Sequence, residues 1–474
     1  PMKKTTVSFL TSAKATCLVG LLTLCSSPSA DAADSSVGTG EIAIYSEATG
    51  ADAITTADFT HDFDTTDRED AGSFTRAGAN ITLNRTGHYL AIYNSRFDRT
   101  GAGTNRVETQ SHLRLNATDL ASGWSQGYTR TDNNGGATED RVANGTAIQL
   151  VKLDDVNMGF ARLSLAANVA GPTTDAFVKV PYDTDDEVGA GFTHGVAGDL
   201  TLVDGGKYLV IANTYGQQTS NRTSLVQRLT LDGTEVAGSK TDVYLRHANN
   251  ANQGAAGIGM IIDATANQVL RVEGALDVNI TTLNYIGGRC ALTVVKLDDA
   301  AEYVRLTNTS NQNVNAATDT PLTFDSPLEV NALSFTHSTS EVTVQQDGDY
   351  LFFASVYGPN DGVQRGFPSQ GWSINGASRS IAGQTGRFTR NLGGDDEFGN
   401  AGGLVASGLS ASDTIEFVSS ALGNGGTNNS NPIALQGVRL ASLITLPATF
   451  EVIVDPALVA VTEGGATATY DLSL

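Results

Sequence analysis

The sequence predicts an all-β protein that consists of three tandem antiparallel β-sandwich modules of the jelly-roll type after a signal peptide. Three observations support this fold class. The chain of 474 residues contains 51 Gly, and turn-forming residues separate its short apolar runs. Those runs alternate with period two, which is typical of strands and not of helices. A phrase of one pattern occurs three times, as GHYLAIYN, GKYLVIAN and GDYLFFAS, which indicates an internal repeat.

The N-terminal segment has the features of a signal peptide. Met2-Lys3-Lys4 begins a basic region, and the apolar run from Cys17 to Leu24 is too short to span a bilayer. Ala30-Asp31-Ala32 then provides small residues at the positions that signal peptidase requires. We therefore expect residues 1–32 to be a signal peptide and the product to be secreted to the extracellular space or cell surface.

The composition after this segment excludes several classes of partner. The formal net charge of the whole chain is −22, and such an acidic surface repels phosphate backbones, so we expect no nucleic acid. No later run is long and apolar enough for a membrane span. Cys290 is the only cysteine beyond residue 32, so no intrachain disulfide is expected there. Its apolar surroundings predict a small core residue.

The repeat extends well beyond the phrase. Each copy has an aromatic-Asp pair, then Phe-Thr, then an alternating strand, then Gly-x-Tyr. We assign the modules to residues 41–155, 158–299 and 302–445. The first is shortened, because the stretch between Gly136 and Gly145 is about two strands shorter than its counterpart between Gly254 and Gly288. Module 1 is therefore a degenerate jelly roll, or a neighbour covers its open edge.

The phrase itself is apolar on both faces of a strand. In GKYLVIAN, Tyr208, Val210 and Ala212 alternate with Leu209 and Ile211. Such a strand is buried on both sides, so we expect it to be the central strand of each sandwich.

This combination of motifs resembles the tumour necrosis factor/complement globular-head superfamily. The stretches from Gly254 to Gly274 and from Asn400 to Ser420 are similar to that family's small-residue strand and the strand after it, and ALQGVRLASL is similar to its closing strand. The resemblance implies jelly-roll modules that act as trimers and bind a partner. Because the linkers between modules are short, three copies in one chain could form an intrachain pseudo-trimer instead of a homotrimer, and a rod of beads is the other alternative.

The C-terminal residues 448–474 have a different character. They alternate cleanly, and the VTEGG motif resembles the opening strands of a Calx-beta-type bacterial surface repeat. So short a segment is an incomplete β domain or an extra strand. The first interpretation implies a fragment of a longer surface protein.

Acidic loops are the candidate metal site. Asp183, Asp185, Asp186 and Glu187 lie within one loop, and Asp64 and Asp67 belong to the equivalent loop of module 1. Calcium prefers several oxygen ligands of this kind, so Ca²⁺ is the one cofactor that the sequence suggests. The alternative is that the acidic loops are simply solvated, since no complete calcium loop is present. The candidate ligand-binding residue is a recurring arginine.

That arginine follows an aromatic residue at a strand end in each module, as Arg130, Arg246 and Arg390. It could pair with a loop carboxylate, or it could bind an acidic ligand such as a uronate. No nucleophile, phosphate-loop or metalloprotease motif is present, and we expect no enzyme. The leading hypothesis is a secreted adhesion, matrix or structural module array with an extracellular protein or glycan as partner. The alternative is a carbohydrate- or ligand-binding accessory region of a larger secreted enzyme.

Overall fold

The structure is a computed structural model, and one compact unit contains residues 1–444. It describes residues 5–12, 20–25, 41–48, 60–85, 87–94, 97–101, 106–130, 137–141, 146–153, 159–196, 198–219, 222–246, 252–277, 282–297, 301–314, 316, 318–359, 367–380, 382–386, 397–422, 429–430 and 433–443. The tail at 448–474 therefore lies outside the described residues.

Module 1 is the part of the chain that ends with the twelfth strand. Its strands are β1 Thr5–Ser12, β2 Gly20–Cys25, β3 Ile42–Ser46, β4 Thr65–Glu69, β5 Phe74–Ala77, β6 Asn80–Leu83, β7 His88–Asn94, β8 Phe97–Gly101, β9 Arg106–Leu115, β10 Thr118–Arg130, β11 Ala137–Arg141 and β12 Ala147–Leu153.

Module 2 follows with a fuller set of strands. They are β13 Phe160–Ser164, β14 Val169–Ala170, β15 Val178–Lys179, β16 Thr184–Val188, β17 Phe192–His194, β18 Leu200–Leu202, β19 Gly206–Gln218, β20 Thr223–Leu231, β21 Thr234–Glu235, β22 Thr241–Leu245, β23 Gln253–Ala264, β24 Gln268–Leu276, β25 Leu283–Tyr285 and β26 Ala291–Lys296.

Module 3 repeats this series and ends in a 3₁₀ helix at Leu440–Leu443. Its strands are β27 Tyr303–Thr307, β28 Gln312–Asn313, β29 Thr320–Pro321, β30 Ser326–Val330, β31 Phe335–Ser338, β32 Glu341–Val344, β33 Gly348–Pro359, β34 Phe367–Ile374, β35 Thr385–Gly386, β36 Glu397–Leu409, β37 Thr414–Leu422, β38 Asn429–Ser430 and β39 Ala434–Arg439.

Each module is an antiparallel sandwich of two sheets, which confirms the predicted fold class. In module 2 one sheet has the order β14-β25-β19-β26-β13-β16, with β23 on the free edge of β19. The other has the order β17-β18-β24-β20-β21, with β15 and β22 attached. In module 3 the inner sheet is β30-β27-β39-β33-β36, and the outer sheet is β31-β32-β37-β34-β35. Neighbouring strands in these sheets pair antiparallel, as a jelly roll requires.

Module 1 obtains two strands from the N-terminal segment. Strand β1 lies between β6 and β9, and β2 pairs with β7. These are the positions that β24 and β23 occupy in module 2. The shortened repeat is thus completed by residues of the predicted signal peptide, and its status as a leader stays a prediction.

The central strand of each module is β7, β19 or β33, and each buries one face in its own sandwich. In module 2 this face consists of Tyr208, Val210 and Ala212, which belong to an apolar core with Leu200 and Leu270. The equivalent face of β33 carries Tyr350, Phe352 and Ala354 within the core of module 3. The face of β7 packs in the same way in the core of module 1.

The other face of each central strand packs against the other modules. Leu209 and Ile211 leave the core of module 2 and join a cluster that contains residues of all three modules. The cluster consists of Ile42, Ile44, Leu90, Ile92, Val151, Leu153, Phe160, Leu209, Ile211, Ile261, Val295, Leu297, Ala301, Tyr303, Leu351, Phe353, Val405, Val438 and Leu440. We call it the shared cluster.

Burial in the shared cluster is nearly complete. Ile211 and Leu351 are each 1% exposed, and Ile92 is fully buried. Each such side chain contributes roughly 1.5–3 kcal/mol when it leaves water. The prediction that the phrase is buried on both faces is therefore confirmed, but the second face meets neighbouring modules and not the interior of its own sandwich. No helix among the described residues is long and apolar enough to cross a membrane.

If the shared cluster unites the modules, a cavity in one module should weaken the others. We expect Ile211→Ala to cost about 2–5 kcal/mol and to lower the denaturation midpoint reported by Trp372, which lies in the core of module 3. The measurement is tryptophan fluorescence in urea with Trp124→Phe as background, since the chain has 2 Trp. An unchanged Trp372 midpoint beside a destabilised module 2 would contradict the prediction.

Candidate functional site

The glycine of the repeated phrase is required by its backbone conformation. Gly87, Gly206 and Gly348 have φ angles of 143°, 129° and 149°. A side chain is strongly disfavoured in this region, and only glycine adopts it without strain. The glycine therefore sets the turn into each central strand.

The tyrosine of the phrase closes the same turn from inside the sandwich. Its hydroxyl donates a hydrogen bond to the carbonyl oxygen four residues earlier, at 2.7 Å for Tyr89, 2.6 Å for Tyr208 and 2.6 Å for Tyr350. Its ring contacts the phenylalanine of the Phe-Thr pair edge-on, for example 5.8 Å between the ring centroids of Phe192 and Tyr208. Such aromatic pairs stabilise a core beyond their buried area, so these two motifs recur together.

The residue between the glycine and the tyrosine differs in every copy and lies at a boundary between modules. It is His88, Lys207 or Asp349. Each of these side chains reaches a charged residue of the next module, and the three partners occupy equivalent positions in β4, β16 and β30. We call these six residues the interface ring.

At the boundary between modules 1 and 2, His88 contacts an aromatic ring and a carboxylate. Its imidazole stacks on Phe160 with 3.7 Å between ring centroids and an interplanar angle of 13°. Its Nε2 lies 3.1 Å from both carboxylate oxygens of Glu187. One side chain thus fixes the second module against the first by packing and by polar contact.

At the boundary between modules 2 and 3, Lys207 makes the same two contacts. Its Nζ lies 5.3 Å from the ring centroid of Tyr303, within the range of a cation–π interaction. The same atom is 3.2 Å from Oε1 of Glu329. Tyr303 and Phe160 occupy equivalent positions in β27 and β13.

At the boundary between modules 3 and 1, the charges are reversed. Asp349 forms an ion pair with Arg68, which takes the position of Glu187 and Glu329. The residue equivalent to Phe160 is Ile42, and an aliphatic residue suits this place because the face of an aromatic ring is negative and would repel a carboxylate.

The reversal makes the order of modules around the shared cluster specific. An exchange of neighbours would bring Asp349 against Glu187, or Arg68 against Lys207. Like charges at such contacts disfavour the wrong partner. The variable residue of the phrase therefore determines which module it meets.

Two glutamines reinforce these boundaries by capping sheet edges that are buried there. Oε1 of Gln149 in β12 accepts a hydrogen bond from the backbone N–H of Val405 in β36. Gln436 in β39 does the same for Ile261 in β23. Strands β36 and β23 lie at the edges of their sheets. The side chains satisfy buried donors that would otherwise be costly.

The first aspartate of the acidic loops has a structural role. Asp183 accepts the N–H of Ala166 at 2.9 Å, and Asp64 accepts that of Ala48 at 2.7 Å. In module 3, Asp325 accepts the N–H of Thr309 at 2.7 Å, and this bond holds the pKa of the carboxyl below its usual value. The aspartate of the aromatic-Asp pair thus joins the ends of two neighbouring strands in each module.

The remaining predicted calcium ligands point to separate partners. Asp186 contacts Arg162 with 3.3 Å between Oδ2 and Nε, Asp185 contacts His194, and Glu187 belongs to the interface ring. Asp67 is exposed in β4. Within the described part of the chain, no three His, Cys, Asp or Glu residues form a group that could hold a metal ion. Calcium binding stays a prediction.

The structure describes the three predicted ligand-binding arginines to different extents. Arg246 is partly buried and comes directly after β22. Arg130 ends β10, where its backbone pairs with Arg106, and Arg390 lies outside the described residues. Their convergence on one ligand therefore stays a prediction.

Both tryptophans and the cysteine Cys290 are buried. Trp372 is fully buried in the core of module 3, and Trp124 is 7% exposed. Cys290 is fully buried, as predicted, and burial raises its pKa to about 12. A thiol with this pKa is not a nucleophile at neutral pH.

One polar cluster between modules 1 and 2 was missed by the sequence reasoning. The guanidinium carbon of Arg289 lies 3.8 Å from the ring centroid of Trp124, and its Nη1 donates to Tyr215 Oη at 2.9 Å. That hydroxyl also lies 2.8 Å from Oε1 of Gln253 and contacts Gln126. The sequence signal for this cluster is that Tyr215, seven residues after Tyr208, recurs in module 3 as Tyr357, seven residues after Tyr350.

Comparison with known proteins gives structural likeness only. No protein-family model and no curated protein matches the chain. A crystal structure of murine APRIL at pH 5.0 is 11% identical and covers 30% of this chain and 100% of its own, with a TM-score of 0.24. Eiger TNF from S. frugiperda is 14% identical and covers 30% and 94%, with a TM-score of 0.23. Likeness at scores this low carries no argument, and the jelly-roll assignment rests on strand pairing.

The interface ring yields a prediction about the pair Arg68 and Asp349. Arg68→Glu should place two carboxylates together, and Asp349→Arg should place two guanidinium groups together, so each single variant loses stability. The double variant restores opposite charges, and we expect a coupling energy of about 1 kcal/mol, since both groups are partly exposed. The free energy of unfolding in low salt measures it.

Salt and a second pair control this cycle. The coupling should shrink in about 1 M NaCl because added ions screen partly exposed charges. Arg271 and Asp199 form a pair within module 2, with 2.7 Å between Nε and Oδ1, and provide the matched control. A zero coupling for Arg68 and Asp349 at low salt would show that the ring does not join modules 3 and 1.

Proposed function

We propose that this protein is a secreted, non-enzymatic binding module of the extracellular space or cell surface, with a role in adhesion or matrix structure. The observation that carries the proposal is the shared cluster. It packs the central strands of three sandwiches together within one chain. A chain that builds this arrangement from its own repeats is a pre-assembled intrachain pseudo-trimer, and it needs no second copy to complete the shared cluster.

The chemistry of the repeated motifs supports a scaffold. The glycine and tyrosine form a turn, the variable residue joins modules, and the first aspartate of each acidic loop binds backbone N–H groups. Ionisable groups in these motifs are therefore used for assembly. Recognition is left to the loops, where the three copies differ most in sequence, and loops on a rigid scaffold commonly carry binding.

Two features of the sequence support export. The N-terminal segment has the charge and apolar pattern of a leader, and the net charge of −22 keeps a protein soluble outside the cell by repulsion between copies. The proposed partner is an extracellular protein or glycan.

A second candidate is a carbohydrate- or ligand-binding accessory region of a larger secreted enzyme. Arg246 favours it, because this cation follows a strand end in an acidic chain and is partly buried. A guanidinium group in such a place is suited to bidentate recognition of a carboxylate, such as that of a uronate.

A surface-binding assay separates the two candidates. The full chain, fluorescently labelled, is applied to immobilised fibronectin and collagen and to polygalacturonate and alginate. The adhesion role predicts saturable binding to a protein surface that Arg246→Gln leaves unchanged. The accessory role predicts uronate binding that falls at least tenfold in Arg246→Gln but not in the control Arg222→Gln. Absence of binding to every surface would contradict the proposal.

A further inference from the structure

The two strands that complete module 1 come from the opposite end of its sequence. In module 2, β23 precedes β24, and in module 3, β36 precedes β37. In module 1 the strand at the position of β24 comes first, as β1, and the strand at the position of β23 comes second, as β2. The N-terminal segment is therefore not a displaced copy of the missing repeat. It is a different sequence that fits the same two places.

The place that β1 fills is an interior groove and not a sheet edge. Strand β1 pairs with β6 over Thr5–Ser8 and with β9 over Val7–Ser12. In the modules that have all their strands, β24 separates β18 from β20, and β37 separates β32 from β34. Without β1, strands β6 and β9 would both lose the backbone hydrogen bonds on their facing sides, which is costly in a sheet.

The sequence of β1 matches the groove in register. Val7 stands opposite Ile81, as Leu270 stands opposite Leu200 in module 2. Two positions later, Phe9 stands opposite Leu113, as Phe417 in module 3 stands opposite Trp372. Apolar residues thus occur at the two register positions where the complete modules also have them.

An independent observation concerns the edge that β2 provides. Gln149 of module 1 caps the edge strand of module 3, and Gln436 of module 3 caps the edge strand of module 2. The residue of module 2 at the equivalent position is Thr293 in β26, which stands opposite Ile211. Its hydroxyl is buried and makes no hydrogen bond within the described residues. The side chain of threonine is two bonds shorter than that of glutamine, so it does not reach the edge strand of the neighbouring module. The cap is therefore missing at the one boundary where the edge strand is supplied by the N-terminal segment.

We propose that module 1 is a strand-acceptor module and that its donor strands are β1, residues 5–12, and β2, residues 20–25. The segment predicted to direct export supplies, while it is attached, the two strands that the module's own repeat lacks. Export processing and completion of module 1 then exclude one another. A chain cut after the leader presents an open groove between β6 and β9, which is a template for an added antiparallel strand.

Cysteine cross-linking in the full chain tests this assignment. The protein is made by cell-free translation without membranes, which leaves the leader in place, and carries Cys17→Ser and Cys25→Ser. Ser8→Cys is combined with Asn80→Cys, its register partner, or with Thr82→Cys, two positions further along the same strand. We expect the first pair to form an intramolecular disulfide at least fivefold faster than the second, as measured by mass spectrometry of the monomer.

Other outcomes overturn the proposal. Equal rates for the two pairs, no disulfide at all, or a disulfide found only between two molecules would each show that the segment does not fill the groove of its own module 1. A proline scan gives a second measurement that needs no cysteine. Ser8→Pro removes a backbone donor within β1 and should lower the unfolding midpoint reported by Trp124, whereas Thr16→Pro, between the two strands, should leave it unchanged. Equal midpoints for both variants would also reject the proposal.

Discussion

The packing of three central strands on one another is the interaction on which the rest of the structure depends. Each strand is apolar on both faces, and a sandwich can cover only one of them. The second face, which carries Leu90 and Ile92 in module 1, would expose a large apolar patch on an isolated module, and such patches invite association. The shared cluster removes this surface from water within a single chain. Short linkers between the repeats lower the entropic cost of this packing, because they already hold the three surfaces close together.

The apolar packing between modules has little specificity of its own, and the polar contacts at the boundaries add it. A cluster of Leu, Ile and Val is tolerant of exchange between similar modules. The interface ring is not tolerant of such exchange. Two boundaries place a nitrogen-bearing side chain, His88 or Lys207, against a glutamate of the next module, and the third reverses this arrangement with Asp349 and Arg68. An aromatic residue lies beneath His88 and beneath Lys207, whereas Ile42 takes this place beneath Asp349. These paired differences explain why a repeat with a fixed glycine and a fixed tyrosine keeps a variable residue between them.

Much of the scaffold could be predicted from the sequence, because the patterns that determine it are local. The alternation with period two, the turn glycine Gly206 and the spacing of Phe192 and Tyr208 each lie within one module. The partner of the second apolar face could not be predicted, since alternation shows that a face is buried but not what covers it. The acidic loop was interpreted as a calcium site because carboxylates are close in sequence. In the fold, Asp183 accepts a backbone N–H, Asp186 contacts Arg162, and Glu187 contacts a residue of another module. Only three-dimensional contacts distinguish these roles. The joint reversal of charge at Arg68 and Asp349 was a signal in the sequence, visible only once the repeats are aligned.

Carbodiimide cross-linking of the unmodified protein tests the pseudo-trimer most directly. This reagent joins an amine to a carboxylate only when the two are in contact, and Lys207 in module 2 lies 3.2 Å from Glu329 in module 3. Lys179 and Asp199, 3.0 Å apart within module 2, provide the internal control. We predict that peptides from the monomer contain both links. A monomer that contains the Lys179–Asp199 link but lacks the Lys207–Glu329 link would show that the modules do not pack around a shared cluster, and it would contradict the intrachain pseudo-trimer.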